Sequence, residues 1–228
     1  MIRDMSDEVS RREAGVSTPG TASSPPGDPN YLTPTGTPTA APDQAEGRAE
    51  TTATADAIKV LLVCTANICR SAYAEVAARH MLGANPDVVF ASAGTRGLTG
   101  QPLNPEMAEL LPEGVAYDDF AAKQVTRALV EGADVVLTAE AAHRTLLLEE
   151  YPRAFRKVLT LGQFAEAAQY SELRGRALIT AVGRQQPPAR LGHDVRDPFR
   201  RGREANARAA ARLDALLDII VPALLERP

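Results

Sequence analysis

The sequence has no tryptophan, only two cysteines and only three histidines among its 228 residues. Cys64 and Cys69 are too few and too close together to staple a scaffold, and no four-ligand zinc spacing exists. His80, His143 and His193 are scattered without ligand spacing; His80 falls on an apolar helical stripe, which predicts a core imidazole. No apolar run approaches the ~20 residues of a membrane span. A charged start leading into an apolar signal-peptide core is also missing, since Arg11-Arg12 is followed by Glu13 and Ala14. There is no Gly-Lys-Ser/Thr, and Gly94, Gly97 and Gly100 are spaced G-x-x-G-x-x-G rather than G-x-G-x-x-G, which argues against the two common nucleotide cradles. A soluble, cytoplasmic protein without metal or cofactor is the expectation.

The charge that is present is unevenly placed. Residues 1–56 hold four Arg and nine Asp+Glu, whereas the remainder has 21 basic and 20 acidic residues. The net charge of −4 therefore belongs to one end, and no basic excess points to nucleic acid. The same 56 residues contain seven of the 17 prolines, nine threonines and five serines. Such a composition buries too little apolar surface to offset its ordering entropy, so it predicts a disordered leader over 1–56 and a folded domain over 57–228.

From residue 57 the pattern alternates. Ile58–Val63 reads as a strand buried on both faces. Tyr73, Val76, Ala77, His80 and Met81 mark a helix ending near Gly83-Ala84-Asn85-Pro86. Val88–Ala91 reads as a second strand. Asn104-Pro105 caps a helix to about Leu111, and a further helix is expected over Ala121–Val130. Val135–Leu137 and Lys157–Thr160 read as strands around a helix at Ala139–Glu150. Residues 162–182 read as helical with a break at Gly175, and Gln185–Gly192 as a loop. Leu213, Leu216, Leu217, Ile220 and Leu224 share one face of a last helix, with Pro222 near its end. Strands alternating with helices predict an α/β domain with a four-stranded parallel sheet flanked by helices. In that class the site lies beyond the carboxyl ends of the strands.

Cys64-Thr65-Ala66-Asn67-Ile68-Cys69-Arg70-Ser71 occupies that position after the first strand. Successive N–H groups in a strand-to-helix loop curl into an anion-binding nest, and the helix N-terminus adds positive potential. The same field favours an anionic sulfur at Cys64. Arg70 adds a planar fork that matches two oxygens of a tetrahedral oxyanion. A nucleophile beneath a phosphate-shaped cradle suits covalent phosphoryl transfer without a metal.

Cys64–Ser71 followed by Glu75 resembles the signature loop of the low-molecular-weight protein tyrosine phosphatases. Ser92-Ala93-Gly94-Thr95, Ala133–Leu137 and Asp197-Pro198-Phe199 match further family segments in the right order, over roughly residues 58–226. The resemblance implies that Cys64 attacks phosphorus, Arg70 grips the equatorial oxygens, and Asp197 is general acid and then base. It also implies loop support from Thr65, Ala66, Asn67, Ile68, Cys69 and Ser71, with Ser71 bonding the thiolate and Asn67 holding a partly left-handed turn. Cys69 is in sequence range to trap an oxidised Cys64 as a disulfide, the alternative being simple packing.

Several departures bear on substrate choice. Leu98 stands where relatives often carry an aromatic cleft wall, while Phe199 keeps one ring. Phe120 replaces a structural histidine, and Ala139-Glu140 replaces a common Met-Asp pair. Arg96, Arg196, Arg200, Arg201 and Arg203 either fringe the mouth or simply solvate the surface. The resemblance implies a phosphotyrosine protein as substrate, a bacterial tyrosine kinase being the family association. Rival readings on the same fold are a protein-arginine phosphatase, whose relatives carry Thr where this chain has Ile68, and a thiol-dependent arsenate reductase. A catalytically inactive phosphate-binding module is the fourth reading, against which Cys64, Arg70 and Asp197 are all present.

Overall fold

The strand β1 (Ile58–Cys64) is apolar nearly throughout because both of its faces are covered. In the computed structural model, which describes residues 56–225, its side chains divide by parity. Ile58, Val60, Leu62 and Cys64 enter one core, and Leu61 and Val63 the other. Successive strand residues point to opposite faces, so one unbroken apolar run supplies two cores. The leader expected over residues 1–56 lies outside the described residues, Asp56 excepted.

β1 is followed by α1 (Arg70–Leu82), β2 (Val88–Gly94), α2 (Pro105–Ala108), α3 (Arg127–Gly132) and β3 (Val135–Thr138). Then come α4 (Ala141–Glu150), β4 (Val158–Thr160), α5 (Leu161–Gln169), α6 (Gly175–Gln185) and α7 (Arg203–Leu224). The sheet order is β2-β1-β3-β4 and every pairing is parallel, as the alternation predicts. One core carries residues of α1, α2, α5, α6 and α7, and the other residues of α3 and α4. β1 thus sits where the strand order reverses, and its carboxyl end opens between its two neighbours.

α1 departs from a one-stripe helix. Residues Arg70–Ala78 are buried without interruption, because the sheet covers one side and α7 another. Small side chains at Ala72, Ala74, Ala77 and Ala78 permit that close approach. The last turn runs past the core, so His80 is exposed rather than a core imidazole, and Met81 is exposed too.

The helix expected over Ala121–Val130 is shorter and later. Lys123 O accepts from Gly94 N at 2.8 Å, and Val125 N donates to Gly94 O at 2.9 Å. That bridge to the end of β2 occupies backbone groups a helix would need. The Thr126 hydroxyl then caps α3 by accepting from Leu129 N at 3.3 Å. α2 is capped by Asn104 as expected but stops at Ala108 rather than Leu111. Leu111 precedes Pro112, which disfavours helical backbone there. Gly175, at φ 54°, opens α6 instead of breaking one long helix. In α7 the five expected apolar residues are buried, and Pro222 falls in its last turn. No helix among the described residues is long and apolar enough to cross a membrane.

Candidate active site

The loop from β1 to α1 is held by its carbonyls. Cys64, Thr65, Ala66 and Ile68 accept from the N–H groups of Thr95, Arg96, Leu98 and Asn104 at 2.8–3.0 Å. None of the N–H groups of residues 65–69 donates to another group among the described residues. With carbonyls engaged and amides free, the loop presents donors to an oxyanion. Its approach to the chain after β2 explains Gly94: a Cβ there would collide with the Thr65 carbonyl oxygen.

Asn67 adopts φ 58°, the left-handed region that asparagine tolerates. Its buried side chain spends its hydrogen-bonding capacity on keeping that turn. Nδ2 donates to Ser71 Oγ at 2.9 Å and Ser92 Oγ at 2.6 Å, and Oδ1 accepts from Lys123 N at 2.7 Å. Ser92 Oγ donates onward to Glu75 Oε2 at 2.6 Å. Burial raises the Glu75 carboxyl above its ordinary range. Phe120 is buried in the core.

Cys64 Sγ lies 3.0 Å from Ser71 Oγ. Because Asn67 donates to that oxygen, the hydroxyl hydrogen is left for the sulfur or for Ala93 O at 3.4 Å. Cys69 is a second buried free thiol. Burial first, then neighbouring Cys64 and Asp197, pushes it up to about 12, so it stays protonated.

Arg70 is 2% exposed. Nη1 donates to Val195 O at 3.0 Å and meets Glu140 Oε2 at 2.9 Å, while Nη2 lies 3.4 Å from Asp197 Oδ1. Its buried Nε has no partner among the described residues. A guanidinium at this depth requires opposing charge, which the two carboxylates supply. Asp197 stands in the connection between α6 and α7. Its Oδ1 also accepts from Phe199 N at 3.3 Å, and its side chain is 42% exposed.

Cys64, Ser71 and Asn67 thus form one hydrogen-bonded group, and Arg70, adjacent to Ser71 in the chain, contacts Asp197. Thr65, Ala66 and Ile68 are half-buried, and Leu98 and Phe199 are exposed at 47% and 41%. Of the arginines considered for the mouth, Arg200 stacks 5.1 Å from the Phe199 ring centre and Arg203 lies 3.6 Å from Glu109. Arg96, Arg196 and Arg201 are exposed.

Two residues of the site have no role in the sequence reading. Glu140 is noted there only as a departure, yet it pairs with Arg70. His143 is noted only as scattered, yet its Nε2 lies 2.8 Å from Thr65 Oγ1 and its Nδ1 3.7 Å from Glu140 Oε2. Burial first, then Arg70, lowers the His143 pKa below its usual value. The available signal was Glu-x-x-His immediately after a strand expected to end at the site edge, since i and i+3 share a helix face.

The sequence matches the low molecular weight phosphotyrosine protein phosphatase family over residues 59–174, and the chain belongs to that family. The low molecular weight protein-tyrosine-phosphatase Etp of Escherichia coli K12 is 32% identical over 108 residues, spanning 47% of this chain and 71% of Etp. A low molecular weight protein tyrosine phosphatase structure from T. tengcongensis superposes with a TM-score of 0.59 at 28% identity, covering 73% of this chain and 99% of that one. YwlE arginine phosphatase from Geobacillus stearothermophilus shares the fold, with a TM-score of 0.58 at 24% identity, over 73% of this chain and 92% of its own. The family match ends before Asp197, whose tie to the loop in this structure is its contact with Arg70.

Proposed function

We propose that this chain is a cytoplasmic protein-tyrosine-phosphatase that works through a cysteinyl-phosphate on Cys64. The Cys64 thiolate attacks phosphorus in line, forming the S–P bond as the P–O bond to the tyrosyl oxygen breaks. Asp197, as the carboxylic acid, gives its proton to that leaving oxygen. A water then attacks phosphorus, Asp197 takes the water's proton, and the S–P bond breaks to release phosphate. Arg70 and the loop amides face the charge that spreads over the equatorial oxygens, where fixed donors act most strongly. No metal takes part in this scheme.

One observation carries the reading: the buried Arg70, at the start of α1, contacts both the Asp197 loop and the counter-charge after β3, next to the loop that bears Cys64. Family membership supports phosphotyrosine as the substrate group. Apolar Ile68 fits an aryl phosphate better than phosphoarginine. Exposed Leu98 and Phe199 supply apolar surface for a tyrosyl ring, and a phosphorylated protein such as a bacterial tyrosine kinase is the substrate class.

The test is side-by-side turnover of a phosphotyrosine peptide, a phosphoarginine peptide and arsenate, in EDTA, with and without small thiols. Fast phosphate release from phosphotyrosine alone is expected. Faster turnover of phosphoarginine, or arsenate reduction that depends on added thiol, overturns the assignment.

A further inference from the structure

The segment from Asp194 to Gly202, which carries Asp197, is neither helix nor strand. Its place therefore depends on individual contacts; upstream of it, Arg212 of α7 donates to Gly192 O at 2.8 Å, and the other contacts gather on α5. Gly162, Gln163 and Glu166 lie at i, i+1 and i+4, close together on one side of that helix. Gln163 Nε2 donates to Pro187 O at 2.6 Å. The backbone of His193 presses onto Gly162 so closely that a Cβ there would clash with it. Glu166 Oε2 lies 2.6 Å from His193 Nε2, and Glu166 Oε1 2.6 Å from Arg190 Nη1.

His193 is buried, and its Nδ1 accepts from Arg190 N at 3.1 Å. With Nδ1 accepting, a ring proton belongs on Nε2, aimed at the Glu166 carboxylate. Arg190 is largely exposed, where an ion pair contributes little; the buried imidazole is the stronger tie. Immediately downstream, Asp194 Oδ1 accepts from Ala141 N at 2.8 Å, Val195 N donates to Ala139 O at 2.8 Å, and Val195 O receives Arg70. Asp197 follows two residues later.

We propose that the Glu166–His193 pair is a positioning device for Asp197, which tunes protonation of the leaving group and takes no part in capturing phosphate. The proposal rests on the reading of Asp197 as the acid. His193 lies four residues before Asp197, so an imidazole freed from α5 lets the acid's carboxyl shift while the Cys64 loop, held by other bonds, stays in place.

The experiment measures kcat and KM for aryl phosphates from 4-nitrophenyl to phenyl phosphate, with the Ki of inorganic phosphate, for wild type, H193A, H193Q, E166Q and D197N. H193A and E166Q are expected to lose about tenfold in kcat/KM on phenyl phosphate, below the ~100-fold a 1 Å misplacement can cost. On 4-nitrophenyl phosphate, whose leaving group needs little protonation, the loss stays under about twofold, as does the change in phosphate Ki. H193Q, with an amide N–H in reach of Glu166, recovers part of the loss. E166Q alters a partly exposed residue and carries the test if H193A does not fold. Equal losses across the series, a parallel change in phosphate Ki, or no loss overturns the proposal. A steep leaving-group dependence in D197N beside flat H193A and E166Q removes only the positioning role; a flat D197N removes the acid reading as well.

Discussion

Ser71 Oγ lies 3.0 Å from Cys64 Sγ and accepts from Asn67 Nδ2 at 2.9 Å, which leaves its own hydrogen for the sulfur or for Ala93 O. Hydrogen bonds to an ionised partner are roughly twice as strong as neutral ones. Ser71→Ala should lower kcat on phenyl phosphate about tenfold while leaving the Ki of inorganic phosphate nearly unchanged. Cys64→Ser should end turnover yet still bind phosphate, measured by calorimetry. Turnover by Cys64→Ser would dismiss the sulfur as nucleophile.

Asp197→Asn keeps the shape of the side chain and removes its proton. The cost should grow as the leaving phenol becomes less acidic, reaching about 100-fold for phenyl phosphate. A plot of log kcat/KM, which reports P–O cleavage and not the later hydrolysis step, against leaving-group pKa should steepen in the variant. A uniform loss in kcat/KM would remove Asp197 from the acid role.

His143 gives a pH signature with a defined sign. In the fold its pKa is depressed by burial and by Arg70, whereas in the unfolded chain it takes a proton near ~6.5. Below that pH the unfolded state binds more protons, so the stability His143 contributes falls as pH falls. The difference in unfolding free energy between wild type and His143→Asn should therefore narrow from pH 7.5 to 5.5, measured by urea denaturation. A constant or widening difference would show that the imidazole does not stay neutral in the fold.

Gly94→Ala drives a Cβ into the Thr65 carbonyl oxygen, a backbone atom that cannot swing aside. Overpacking of this kind costs about 2 kcal/mol. Because the displaced atoms belong to the anion loop, phosphate affinity should fall along with the melting temperature. An alanine variant with normal phosphate affinity would mean that the loop tolerates displacement.

The fold was readable where one signal dominated. The apolar run at Ile58–Val63 and the Asn104-Pro105 cap both correspond to the elements seen. Residues 121–126 were misread because their backbone bonds belong to Gly94, far away in sequence. His80 was misread because α1 is covered on several sides and its last turn overshoots the core, which periodicity does not encode. Cys64, Arg70 and Ser71 were legible because they occupy one contiguous loop. Glu140, His143 and the Glu166–His193 pair were not, since their partners are fixed only when separate strands and helices close together.

The position of β1 between β2 and β3 has a consequence for the order of synthesis. A nascent chain emerges from its N-terminal side and folds in that direction. Cys64 is translated early, yet the strand on its second side ends only at Thr138, and Asp197 comes later still. The ribosome therefore delivers the sulfur well before the walls that will limit access to it. For that interval Cys64 lacks the cover of its finished fold and depends on reductants in its surroundings for protection.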